Sequence, residues 1–99
     1  MNLNSLMQQA QKMQKDITKK QEEINNMEFI GVSEWVEVCL KGDKTVKSIN
    51  IKNKTSMDED DLECLEDMIK IAFDDALKKI DSEVEKKMGV YSKMAGGLF

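Results

Sequence analysis

The chain has 99 residues, carries 15 lysines against 19 acids, and bears a net charge of −4. That length suits one domain burying roughly 65% of its unfolded surface, so pairing with a second copy is an easy way to gain core. Arginine, histidine and proline are absent, which excludes imidazole acid–base catalysis and bidentate guanidinium capture of phosphate, and no apolar run approaches the ~20 residues that span a bilayer.

The first segment runs from about Asn4 to Met27. Leu3, Leu6, Ala10, Met13, Ile17, Ile24 and Met27 alternate spacings of three and four, with Lys20 at the one position that breaks the pattern. Such an a/d seam predicts a long straight helix packed along another. Ser5 and Gln8 fit a capping box at its start. Lys12, Lys15 and Lys19 share one face of this helix, and Lys20 adjoins them.

From Glu28 to Lys54 the period changes to two. Val36, Val38 and Leu40 point one way; Trp35, Glu37 and Cys39 point the other. After the compact turn Lys41-Gly42-Asp43-Lys44, Ile49 and Ile51 alternate with Ser48, Asn50 and Lys52. This predicts an antiparallel hairpin, with strands over about 29–41 and 44–52 and one buried face. Phe29–Ser33 is either a separate short strand or the start of a long one bent at Gly31.

The last segment opens with acid at Asp58–Asp61, which suits the positive end of a helix dipole. Ser56 with Glu59, or Asp60 with Glu63, forms a capping box. Apolar spacing carries the helix from about 58 to 88, with Gly89 as a natural C-cap. Residues 89–99 are expected to form a mobile tail. The fold class is therefore α+β: long helix, short antiparallel sheet of two or three strands, long helix, in one domain over 1–99.

Cys39 and Cys64 are far apart in sequence and read as two buried, reduced thiols. No metal site, cofactor or small-molecule substrate is expected, and no catalytic constellation is present, so an enzyme is not expected. The N-terminus lacks a basic segment followed by an apolar block, so the chain reads as cytoplasmic, with no membrane partner.

Three blocks, in order, resemble the YbaB/EbfC family of bacterial nucleoid-associated DNA-binding proteins. The Met/Gln/Lys-rich stretch Leu6–Ile24 is similar to the family's first helix, and Trp35–Ile51 to its hairpin with Gly42 at the turn. Leu65-Glu66-Asp67 through Ala72-Phe73-Asp74-Asp75-Ala76 is close to its signature. The resemblance implies a homodimer with joined sheets and projecting helical arms that hold double-stranded DNA in the nucleoid. It implies phosphate contacts from Lys12, Lys15, Lys19, Lys20, Lys78, Lys79, Lys86 and Lys87. It also implies a dimer interface from Trp35, Val36, Val38, Leu40, Ile49, Ile51 and Phe73. The acids of residues 58–75 would keep DNA off one half of the last helix, leaving the lysine-bearing end as its seat. The rival reading is a protein-interaction or chaperone-like module in which the acidic stretch 58–67 is itself a docking surface.

Overall fold

The computed structural model describes residues 2–96, and side-chain surroundings for residues 2–91. The elements are α1 (Leu3–Asn26), β1 (Glu28–Val32), β2 (Val36–Lys41), β3 (Val46–Ile51) and α2 (Glu59–Gly96). The strands form one antiparallel sheet in the order β1-β2-β3. The α+β class holds, and Glu28–Val32 is a strand of its own rather than the start of a bent one.

Both helix starts use caps other than those expected. Asn2 caps α1: its Oδ1 accepts from the Ser5 N–H at 2.8 Å. Asparagine is among the strongest N-caps, and it starts the helix before Ser5 can serve. Asp58 caps α2 through a reciprocal box in which the Asp61 N–H donates to Asp58 Oδ1 at 2.8 Å and the Asp58 N–H donates to Asp61 Oδ2 at 3.2 Å. The shorter aspartate does the work usually given to Glu at N3.

The expected stop at Gly89 does not occur. A glycine ends a helix by taking a left-handed conformation, and no glycine among the described residues has positive φ. The helix runs on to Gly96, 38 residues in all, so the first part of the expected mobile tail is helical. Residues 97–99 of that expectation lie outside the described residues.

The core is built on one face of the sheet. Val36, Val38 and Leu40 of β2 pack with Phe29 of β1 and with Ala72, Ala76 and Ile80 of α2. Small residues let the backbones close up: a Cβ at Gly31 would overlap the Ala72 carbonyl and stand 2.7 Å from the Ala76 Cβ. α2 lies over β1 and β2 but does not reach β3. A helix about 10–12 Å wide covers two strands spaced about 4.8 Å apart, not a third.

The buried face predicted for the second strand is therefore only half made. By register, Val46, Ile49 and Ile51 sit opposite Leu40, Val38 and Val36. Ile51 is half-buried, but Ile49 remains 52% exposed and Val46 47%. Cys39 is buried on the other face, beneath an ion pair between Lys47 and Glu28. Cys64 is exposed on α2, so the expectation of two buried thiols holds for Cys39 alone.

Helix α2 runs antiparallel to β1: Asp75 meets Val32, Lys79 meets Ile30 and Lys87 meets Met27. Its acidic beginning continues past the sheet end marked by Val32 and Val36. Its last turns leave the sheet beside α1, where the Lys20 ammonium lies 6.0 Å from the Tyr91 ring centroid. The result is a rod of 71 × 23 × 14 Å with a radius of gyration of 19.7 Å, against about 13 Å for a compact chain of 100 residues.

Candidate nucleic-acid interface

The eight lysines expected to touch phosphate fall into two groups. Lys12, Lys15 and Lys19 stand exposed along α1, and Lys78 and Lys86 along α2. Three others already have partners. Lys79 donates to the Ile30 carbonyl at 2.6 Å and pairs with Asp75 at 3.2 Å. Lys87 pairs with Glu83 at 3.3 Å and reaches the Met27 sulfur. Lys20, the exception in the seam, faces Tyr91. A shared groove of about 500 Å³ between the β1 edge and α2 gathers Lys78, Lys79 and Lys86 with Ser82, but also Glu28 and Glu83.

Asp75 and Lys79 form an i,i+4 pair that closes the free edge of β1. The Val32 N–H donates to Asp75 Oδ2 at 3.0 Å, while Lys79 donates to the Ile30 carbonyl. These are backbone groups an added strand would otherwise use. The hydrogen bond from Val32, together with Lys79, holds the Asp75 carboxyl below its ordinary value of 3.8. Glu28 is likewise lowered, chiefly by its hydrogen bond from Lys47, whose ammonium is raised in return. Asp43 is lowered by Thr45, whose backbone N–H donates to it at 2.9 Å.

Charge is sorted along the rod. Residues 58–75 hold nine acids and one lysine, whereas residues 76–99 hold five lysines and three acids. The sequence matches the YbaB/EbfC DNA-binding family over residues 1–98. The chain belongs to that family. It is 45% identical over 95 residues to a nucleoid-associated protein of Lactococcus lactis subsp. cremoris, covering 94% of this chain and 95% of the relative. A nucleoid-associated protein of Streptococcus pneumoniae is 42% identical, covering 93% and 94%. One of Enterococcus faecalis is 40% identical, covering 93% and 89%.

Of the residues expected at a YbaB/EbfC dimer interface, Val36, Val38 and Leu40 are buried at 0–1% exposure within the protomer. They have no surface left to give a second copy, because α2 of the same chain already covers them. Trp35 and Phe73 are half-buried against the same core. Ile49 and Ile51 lie on the part of the face that α2 leaves open. Val46, Ile71 and Val90 are further exposed apolar residues. Val46 was legible as the strand-facing partner of Leu40 only once the bulge at Lys47 is known.

The expected arm geometry also shifts. Lys78 and Lys79 lie over the sheet beside Phe29 and Ile30, not on a free tip. The paired part of α1 and α2 begins near Met27, so Lys12, Lys15, Lys19 and Lys20 are the expected lysines borne on the projecting α1, the last of them turned to Tyr91. Among the described residues no cluster of three or more metal-ligating side chains forms, and no helix is long and apolar enough to cross a membrane.

Proposed function

We propose that this YbaB/EbfC-family chain acts as a homodimer that binds double-stranded DNA in the nucleoid through lysine–phosphate contacts, and so influences DNA organisation and gene expression. The observation that carries the DNA reading is the sorting of charge along the rod. Lys78 is exposed beside Asp74 and Asp75, the last acids of the acidic stretch, whereas Lys12, Lys15 and Lys19 on α1, with Lys86 on α2, are exposed away from the acidic beginning of α2. The Debye length near physiological salt is about 8 Å, so acids tens of ångströms away are largely screened from them. Lysine is a point charge without the planar fork that reads base edges, so contacts of this kind favour binding with little sequence preference.

The homodimer is supported by the surface the protomer leaves open. Its accessible area is 7407 Å², whereas a folded monomer of 11.3 kDa is expected to expose about 5,700 Å². The excess exceeds the ~800 Å² each partner commonly contributes to a stable interface. Val46, Ile49 and Ile51 on β3, whose edge carries no strand, are where a second copy gains most.

Electrophoretic shift of a duplex at graded salt tests this reading. Binding should fade steeply between about 50 and 200 mM salt, as counterion release requires. The rival reading, a protein-interaction module, rests on the exposed acidic stretch at the start of α2. It gains if no shift occurs at the lowest salt and a protein partner is recovered through residues 58–67.

A further inference from the structure

Outside the two long helices, the densest positive charge in the chain lies on the β2–β3 hairpin. Residues 41–54 hold Lys41, Lys44, Lys47, Lys52 and Lys54 against a single acid, Asp43, and from Lys44 to Lys54 there is no acid at all. The helical lysines are more diluted: Asp81, Glu83 and Glu85 separate Lys78 and Lys79 from Lys86 and Lys87. We infer that the hairpin, together with the outer face of β3, is a second phosphate-contacting surface for the backbone of double-stranded DNA. The inference rests on the DNA-binding reading above and extends it to a part of the molecule that neither helix supplies.

Geometry favours this surface in three ways. First, the helical layer lies on the opposite face of the sheet, and Ser48, Asn50 and Lys52 are exposed on the outer one. Hydroxyl and amide groups join lysine as common phosphate contacts. Second, two of the nearby acids are already engaged, while Glu37, opposite Asn50 on the outer face, is half-buried. Asp43 accepts from the Thr45 N–H, and Glu28 is paired with Lys47. Lys44, Lys52 and Lys54 stand exposed beyond them, at the turn and at the far end of β3. Third, the face lacks a stacking platform. Trp35 is packed against the core, and no aromatic residue lies between Val36 and Lys54. Single strands are held largely by bases stacking on aromatic rings; a surface of lysine, serine and asparagine suits the phosphates of a duplex instead.

The test is a fluorescence-anisotropy titration of a labelled duplex with wild type and with the variant Lys44→Gln/Lys52→Gln/Lys54→Gln, repeated over a range of salt. All three side chains are exposed and project from a turn or strand end, and circular dichroism checks that the variant is folded. At 50 mM salt the variant should bind at least about tenfold more weakly, and its plot of log affinity against log salt should be shallower by about 2–3. Amine-reactive labelling of the wild type gives an answer independent of the variant: Lys44, Lys52 and Lys54 should lose reactivity when duplex saturates the protein. Unchanged affinity and slope with unchanged labelling would overturn the inference, as would protection of these lysines by an acidic protein but not by duplex. If the hairpin variant behaves as wild type while Lys12→Gln/Lys15→Gln/Lys78→Gln/Lys86→Gln loses affinity, this surface is excluded and the DNA-binding reading stands. If the wild type binds no duplex even at low salt, both fall together.

Discussion

At Gly31 the backbone of β1 lies so close to α2 that any side chain would overlap the Ala72 carbonyl. A backbone atom in the middle of a helix cannot swing aside as a flexible side chain can. Gly31→Ala should therefore force β1 and α2 apart and cost about 1–3 kcal/mol, the range for overpacking a well-filled core. Urea denaturation measures this as a lower midpoint with the slope unchanged. The sequence marks Gly31 only as a possible bend, because its partners, Ala72 and Ala76, lie more than forty positions away and leave no local trace. The caps show the same limit at closer range. Ser5 and Gln8 satisfy the capping pattern, yet Asn2 stands ahead of them and takes the role. At the turn, Lys44 adopts a φ of 70°, a left-handed conformation that costs a non-glycine residue roughly 1 kcal/mol or more. A glycine at position 42 advertises the turn but not which of its residues carries the strain.

Among the elements, the two edges of the sheet differ. The β1 edge is closed by Asp75 and Lys79, and the β3 edge is open. Asp75 is held below the ordinary carboxylate range by the hydrogen bond from Val32 and then by Lys79. A carboxyl lowered on folding contributes stability that is present above its unfolded value and is lost as pH falls through its folded value. Asp75→Asn should thus be less stable than wild type at pH 7, with the gap closing as the pH is taken below about 4. Thermal melts of both proteins across pH 2–7 check this; a gap that stays constant with pH would show that the carboxylate charge is not what closes the edge. Element type was readable from periodicity: the seam of α1, the alternation in β2 and the apolar spacing of α2 each carry a strong period. The end of α2 was not, because Gly89 looks like a cap and becomes one only if it turns left-handed. The burial of β3 was not readable either. Ile49 and Ile51 alternate correctly, but whether a helix lies over them depends on how wide one helix is, which no pattern in β3 records.

At the scale of the whole molecule, a rod 71 Å long leaves apolar residues of β3 and α2 facing water. Composition gave the net charge of −4, which taken alone disfavours nucleic acid. Its sorting into an acidic start of α2 and lysine-bearing surfaces elsewhere is visible in the linear order of residues. That Lys79, Lys87 and Lys20 are taken up by partners, while Lys44, Lys52 and Lys54 of the hairpin form no ion pair among the described residues, became visible only with the strands in place. The proposed shielding of Ile49, 52% exposed in the protomer, depends on the protomer being half of the working unit. Sedimentation equilibrium of wild type and of Ile49→Asp addresses that dependence most directly. Wild type should sediment at twice 11.3 kDa, and the charge placed on the open face of β3 should return the variant to the protomer mass with its helices intact. A wild-type mass of one protomer at micromolar concentration, or a variant that pairs as tightly as wild type, would contradict it.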